Sequence, residues 1–312
     1  MKQVIVITGQ TATGKTAKAV SLARDLQGEL INADSRQVYR RLDIVTGKDI
    51  DPGSRFILHY TQRHCSIGTY TIEGIPVWLY DIVSPKHRFS SHDFVDCVIP
   101  VIQDVLNRGK TPILIGGTYL YLKHLLYGFS VQVPPNEALR KELNNQPVDR
   151  LQHLVQQKSG AVWNKLNESD RHNPHRLIRL LEILMHEPDY IPAQEEVTRI
   201  SLGDKIGIPV AVSIHGLRFQ TAEMLQKKIA DRIEKRLMQG ALAETQALLA
   251  NGFSATDPGL NSLGYKELIA YIKGECSETV MKQRWMYDEL HYAKRQYTFM
   301  KKDKHICWEN IS

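Results

Sequence analysis

Residues 3–16 read QVIVITGQTATGKT: an apolar, β-branched run that breaks at Gly9 into a loop ending in Lys15 and Thr16. Branched side chains such as Val and Ile fit a pleated strand better than a helix. Gly9 and Gly14 let the backbone turn tightly enough for successive N–H groups to point inward at an anion. Lys15 adds a positive charge, and the Thr16 hydroxyl can ligate a Mg²⁺ ion bridging phosphate oxygens. A helix expected over 16–26 aims the positive end of its dipole at the same point. With a strand before it and a helix after it, the loop Gly9, Gln10, Thr11, Ala12, Thr13, Gly14, Lys15, Thr16 reads as a cradle for a diphosphate or triphosphate. Whether that phosphate is transferred, hydrolysed or discarded does not follow from the loop.

Downstream, short apolar runs alternate with helical patterns through residue 128. Strands are expected over 3–8, 29–33, 77–83 and 111–115, and helices over 16–26, 91–106 and 119–126. Such alternation predicts a parallel sheet covered by helices, with ligands at the carboxyl ends of the strands. The stretch FILHYTQRHCSIGTYTIEG, 56–74, reads as a β-hairpin laid over the core. From 134 to 199 strand signals vanish, and NEALRKEL, VDRLQHLVQQ and PHRLIRLLEILMH are amphipathic helices. The domain expectation is therefore a catalytic core, 1–133 with 200–312, interrupted by an all-helical subdomain, 134–199. GIPVAVSIHGL reads as a strand returning to the sheet, and long helices are expected over 221–251 and 279–302.

The 312 residues are 42% hydrophobic and 24% charged, with a formal net charge of +6, which leans mildly towards polyanionic partners. Cys65, Cys97, Cys276 and Cys307 are scattered without a CxxC pair, which suits a reducing compartment and argues against a zinc ribbon. The histidines cluster only in HNPH, 172–175, where no further metal ligands stand nearby. A chain that opens on a strand leaves no place for a signal peptide, and no apolar run reaches the ~20 residues a bilayer demands. These features predict a cytoplasmic protein with no membrane partner.

Strand two ends in INADSRQVY, which puts Asp34 at a carboxyl strand end beside the cradle. A carboxylate there can hold Mg²⁺ or accept a proton from a nucleophile. Equally, DSRQ fits a capping box for a helix starting at Ser35. Asp81, closing VWLYD, resembles the second acidic motif with which ATP-hydrolysing loop proteins organise Mg²⁺, and opens a kinase reading. PILIGGTYLY brings Gly116 and Gly117 to a strand tip, with the Thr118 hydroxyl beyond them.

The ordered set GQTATGKT, DSRQVYRRLDI, PILIGGTYLYLKHLL, HRLIRLLEI, LGYKEL and YAKRQYT resembles the tRNA dimethylallyltransferases over nearly the whole chain. The resemblance implies an α/β fold: a P-loop, nucleotide-kinase-like parallel core with an inserted helical domain. It implies that the loop holds dimethylallyl diphosphate with Mg²⁺ on Thr16, and that diphosphate is the leaving group. The prenyl carbon would go to N6 of the adenosine at position 37, in the anticodon stem-loop of tRNA. Asp34 would be the general base, Thr118 would support it, and Lys15 would stabilise the departing charge. Lys228 stands where the family usually has an arginine of the diphosphate site. Ser35, Arg36, Gln37, Arg140, His175, Arg176, Arg179, Asn261, Gly264, Tyr265, Lys266, Lys294, Arg295, Gln296 and Lys301 match stretches used at the tRNA surface, Asp34 among them, and a monomer is expected. Gln10 in place of proline, Tyr119 in place of glycine, and Pro174–His175 depart from the usual pattern.

The last long helix interleaves Lys282, Arg284, Lys294, Arg295 and Lys301 with Trp285, Tyr287, Tyr292 and Tyr297, a mixture suited to phosphates and unpaired bases. Rival readings are an adenylate isopentenyltransferase acting on free nucleotide, an ATP-dependent small-molecule kinase, and a non-catalytic RNA-binding protein. If the basic helix is an RNA surface, the logarithm of tRNA affinity should fall linearly with the logarithm of salt concentration; a flat response in a filter-binding titration contradicts it.

Overall fold

The computed structural model describes residues 2–131, 133–191 and 199–311. Its strands are β1 (Lys2–Gly9), β2 (Gly28–Asn32), β3 (Ile57–Gln62), β4 (Cys65–Ile72), β5 (Ile75–Trp78), β6 (Thr111–Ile115), β7 (Val210–Phe219) and β8 (Ile306–Ile311). They form one 8-stranded sheet in the order β3-β4-β5-β2-β6-β1-β7-β8. From β5 to β8 all neighbours are parallel, while β4 runs antiparallel to both β3 and β5. The fold is therefore α/β around a mostly parallel sheet.

Helices α1 (Lys15–Asp25), α2 (Ser91–Asn107) and α3 (Tyr119–Tyr127) follow the early strands. Next come α4 (Glu137–Leu143), α5 (Val148–Lys158), α6 (Gly160–Lys165), α7 (Glu168–Arg171) and α8 (Pro174–His186). The chain ends with α9 (Leu202–Ile206), α10 (Ala222–Met238), α11 (Ala241–Ala250), α12 (Tyr265–Ile272) and α13 (Glu278–Met300). Two compact units result: Met1–Gly128 with Arg199–Ser312, and Phe129–Thr198. Part of the expected helical subdomain, 192–198, lies outside the described residues.

In the first unit, Ile5, Ile7, Leu30, Val77, Ile113 and Ile115 pack with Ala19, Val20 and Ala23 of α1. Burying each large aliphatic side chain contributes roughly 1.5–3 kcal/mol, so the continuous apolar runs of β1, β2 and β6 are stable only where helices cover the sheet. The second unit has its own core, in which Leu151 and Val155 of α5 meet Val162, Leu177 and Leu181. Helices α4, α6, α7 and α8 start at side-chain caps: Asn136, Ser159, Asn167 and Asn173 each accept a backbone N–H.

Register places the site. Ile7 pairs with Ile115, Asn32 with Ile115, and Gly9 with Leu217, so the loops after β1, β2 and β6 leave the sheet at one edge. Gly9, at φ 130°, brings the backbone so close to β7 that an added Cβ would lie 2.1 Å from the Leu217 carbonyl oxygen.

Several sequence expectations change. The hairpin does not lie over the core. Strands β3 and β4 extend the sheet in its own plane, with a register shift between Leu58 and Tyr60. Strand 77–83 ends at Trp78, because Leu79 and Asp81 adopt positive φ (65° and 57°) and leave the sheet. The helix expected over 221–251 is broken at Gly240, whose φ of 100° ends one helix and starts the next. No helix starts at Ser35; residues 35–38 form turns. Among the described residues no helix is long and apolar enough to cross a membrane.

Glu29 at the start of β2 is only 2% exposed, yet it is charged. Burial alone would raise its carboxyl, but hydrogen bonds from Arg108, Lys110 and Trp78 bring it from 4.5 down to about 2. Trp78 Nε1 donates at 2.8 Å, Arg108 Nη2 at 2.7 Å and Lys110 Nζ at 2.9 Å. Because the folded value is depressed, this carboxylate stabilises the fold above its ordinary range and loses that effect as pH falls from about 4.5 to about 2. Glu29→Gln should therefore lower the urea midpoint at neutral pH and flatten its decline across that acid window.

Candidate active site

The ends of β1, β2 and β6 open on a cleft of about 850 Å³ lined by Thr11–Ala17, Asp34, Ile115 and Gly116, with α10 on the facing wall. The phosphate loop is tethered from outside. Gln10 N donates to Leu217 O at 3.0 Å, Gln10 Oε1 accepts from Phe219 N at 3.1 Å, and Gln10 Nε2 reaches Ala293 O at 3.5 Å. The departure from proline at this position thus supplies side-chain bonds to β7 and α13 that proline lacks. Lys15 Nζ donates to Gln10 O at 2.6 Å and Gly9 O at 3.4 Å, folded over its own loop. Burial, helped by the Arg232 charge and opposed by Asp34 and Glu289, brings the Lys15 ammonium down from 10.5 to about 8.

The facing wall is more basic than Lys228 alone suggests. Lys228, Arg232, Lys235 and Arg236 all line the cleft. They fall at helical spacing on α10, so one face carries them together. Arg232 Nη1 hydrogen-bonds to Thr11 Oγ1. Arg236 is buried and pairs with the equally buried Glu289 at 3.0 Å; burial lowers its guanidinium to about 10. A forked guanidinium, absent at Lys228, is present one turn later at Arg232.

The remaining wall carries Asp34. Asn32 holds Asp34 at its backbone: Oδ1 accepts from Asp34 N at 2.9 Å and Nδ2 donates to Asp34 O at 3.2 Å. Asp34 Oδ1 accepts from Arg36 N at 2.9 Å, capping a turn and not the helix that the capping-box alternative offered. Thr118 Oγ1 accepts from Ser35 N at 3.0 Å and donates to Ser35 Oγ at 3.2 Å, and the Tyr292 phenol lines the cleft. Burial and the Asp34 charge both push that phenol's ionisation up, so it stays protonated. Gln37 Nε2 donates to Gly47 O at 2.8 Å and helps hold the loop 43–49, part of which lines the cleft.

Asp81 does not join this cleft. Its carboxylate pairs with the buried Lys48 ammonium and accepts from Tyr70 OH at 2.8 Å. Burial raises the carboxyl and Lys48 opposes the shift. A carboxylate so occupied anchors Lys48 and cannot organise Mg²⁺ at the phosphate loop, which removes the feature that favoured a kinase.

A second cavity of about 280 Å³ shares Thr11, Asp34, Thr46, Arg232, Arg236 and Tyr292 with the first and is also lined by Arg36, Asn261, Lys266 and Arg295. Asp34 therefore borders both.

The sequence matches the family model described as IPP transferase over residues 37–303. The chain belongs to that family. It is 34% identical to tRNA dimethylallyltransferase 1 of Syntrophus aciditrophicus, over 99% of this chain and 93% of the relative. It is 35% identical to tRNA dimethylallyltransferase 2 of Geotalea uraniireducens, over 98% and 91%. Among solved structures, the tRNA isopentenylpyrophosphate transferase of Bacillus halodurans is similar at 27% identity and a TM-score of 0.66, covering 100% of this chain and 90% of that one. A eukaryotic dimethylallyltransferase shares the fold at 24% identity and a TM-score of 0.75, over 100% and 74%.

Of the residues the resemblance assigns to tRNA, several are buried instead. Tyr265 is 0% exposed and donates to Glu244 at 2.7 Å, and that Glu244 carboxylate accepts the backbone N–H groups of Asp43, Ile44 and Val45. Gly264 is buried against Trp285 and Val45. Gln296 is buried between the phosphate loop and Gly117. These are scaffold positions. In the second unit, Arg140 and Arg179 bracket the buried Glu182, donating at 2.7 and 3.0 Å, while His175 and Arg176 are exposed and Arg176 pairs with Asp170. On α13, Lys294, Arg295 and Lys301 are exposed, but Trp285 is fully buried and Tyr297 packs on Trp308. Only Tyr287 of the aromatics named on this helix is well exposed, at 62%.

Lys15 is charged below about pH 8 and neutral above it. Pyrophosphate affinity, read by titration calorimetry, should fall as pH rises through that value, and Lys15→Met should be weak and show no such step.

Proposed function

We propose that the chain transfers a dimethylallyl group from dimethylallyl diphosphate to N6 of adenosine 37 of tRNA, beside the anticodon, and releases diphosphate. The reading rests on one observation: the phosphate loop, its basic wall and Asp34 line the same cleft, and Thr118 holds the backbone of Ser35 next to that aspartate. Relatives named tRNA dimethylallyltransferase, matched over nearly their whole length, support it.

In this reading the loop amides, Lys15, Lys228 and Arg232 surround the diphosphate. As the allylic C–O bond breaks, its electron pair moves onto the diphosphate, where fixed positive groups stabilise it without reorganising. The adenine amine is a poor nucleophile because its lone pair is delocalised into the ring. Asp34 accepts the N6 proton as the C–N bond forms, and Thr118 holds the Ser35 backbone that positions it. Tyr292 and the buried floor of the cleft keep water from the allylic carbon. The Thr16 hydroxyl, which lines the cleft, is the hard-oxygen donor that would hold Mg²⁺ together with the diphosphate, and bound Mg²⁺ would neutralise charge on that leaving group.

The acceptor adenine would approach from the second cavity, whose rim carries Arg36, Asn261, Lys266 and Arg295, and the half-buried Ser35 with the exposed Lys294 and Lys301 would meet the RNA backbone. His175 and Arg176 are the second unit's exposed candidates for the same role. An unpaired loop base reaches such a site at least cost, because little stacking is lost. The enzyme would meet this substrate in the cytoplasm.

Mass spectrometry of tRNA nucleosides after incubation with donor and Mg²⁺ should reveal N6-dimethylallyladenosine; unmodified tRNA alone would overturn the reading. Asp34→Asn should lower turnover about 10²–10⁴-fold with tRNA binding retained.

A further inference from the structure

Gln296 lies on the buried row of α13 with Met281, Trp285, Glu289, Ala293 and Met300. It is 6% exposed. Its Oε1 accepts from Thr11 N at 2.9 Å, and its Nε2 donates to Gly117 O at 3.1 Å. One amide therefore spans from the phosphate loop to the tip of β6. Beneath it, the β1–β6 ladder pairs the strands up to Ile7 and Ile115 and Gly116 N still reaches Ile7 O at 3.2 Å, while Thr11 and Gly117 lie one step further out. Only a group that both donates and accepts can bridge a backbone N–H and a backbone carbonyl, so a primary amide is the matching side chain and a carboxylate or ammonium is not.

We infer that Gln296 is a positioning residue for prenyl transfer: it sets the separation between the cage that holds the leaving diphosphate and the Thr118–Asp34 wall that readies the acceptor. The inference rests on the proposed function. Thr11 belongs to the loop on the donor side. Gly117 precedes Thr118, whose hydroxyl holds the Ser35 backbone next to Asp34. Transfer needs the breaking C–O bond and the base-bound nitrogen in line, and a misplacement of about 1 Å costs on the order of 10²-fold in rate. Losing the amide also strands the Thr11 N–H and the Gly117 carbonyl in a buried setting, which favours rearrangement of both loops.

Gln296→Met in the full chain removes both bonds at similar volume. Gly117→Ala attacks the same contact from the other side: its Cβ would lie 2.2 Å from Gln296 Nε2, at the end of a flexible side chain, so the amide is displaced while the backbone can stay. Neither change alters an exposed side chain. Both variants should lose on the order of 10²-fold in kcat, with the KM for donor and the Kd for tRNA little changed. Undiminished kcat in both, or a loss of tRNA affinity that saturating tRNA rescues, overturns the inference; the second result would make Gln296 an RNA contact. The unaltered chain in the same assay separates the two ideas. If it forms no product the proposed function fails, and if it forms product while the variants match it only the inference fails.

Discussion

Backbone hydrogen bonds continue past the ends of the central strands. Gln10 N donates to Leu217 O at 3.0 Å, Ala33 N to Ile115 O at 2.7 Å, and Gly116 N to Ile7 O at 3.2 Å. Each links a loop to the strand next door, so the loops after β1, β2 and β6 inherit the sheet's register. Val4, Ile5, Val6 and Ile7 are all buried, so β1 is packed on both faces and a one-residue slip would force both layers to repack at once. The strands thus bring the cradle, the aspartate and the threonine to one end of the sheet, where Gln296 bridges the loop after β1 to the tip of β6.

Charge is then concentrated around that meeting point. Lys15, Lys228, Arg232, Lys235 and Arg236 crowd one cleft, and Asp34, Asp43, Asp49 and Asp231 line it too. Cations so close repel one another, which helps draw Lys15 down to about 8. Glu289 offsets part of this, pairing with Arg236 and raising Lys15 by its field. An incoming polyanion relieves the repulsion, so its affinity draws on electrostatic work already done in folding.

The parts of the site that obey local rules were legible in the sequence. A strand, a glycine-bounded loop and a helix follow from residues within one short window, and the structure places them at Lys2–Gly9 and Lys15–Asp25. Asp34 and Thr118 were legible as strand-end residues, and of the two readings left open for Asp34 the capping box described a helix where the chain makes a turn, because an aspartate caps either. The basic face of α10 was missed although its signal was present: KKIADRIEKR carries cations one and two turns apart, and reading Lys228 singly hid the pattern. Gln296, Tyr265 and Gly264 could not be placed from sequence, since burial of a polar residue depends on partners such as Thr11 N and Glu244 that are distant along the chain. The plane of β3 and β4 was equally out of reach, because a hairpin signal says which strands pair and nothing about what lies beside them.

Strand β3 forms the sheet's outer boundary, with Ile57 58% and Leu58 56% exposed. Such a border, with apolar side chains and open peptide groups, ordinarily invites another chain to stack onto it. Here the ladder is interrupted between Leu58 and Tyr60. The kink spoils the even spacing of donors and acceptors that an intruding strand would need, which blunts that rim as a template for further pairing.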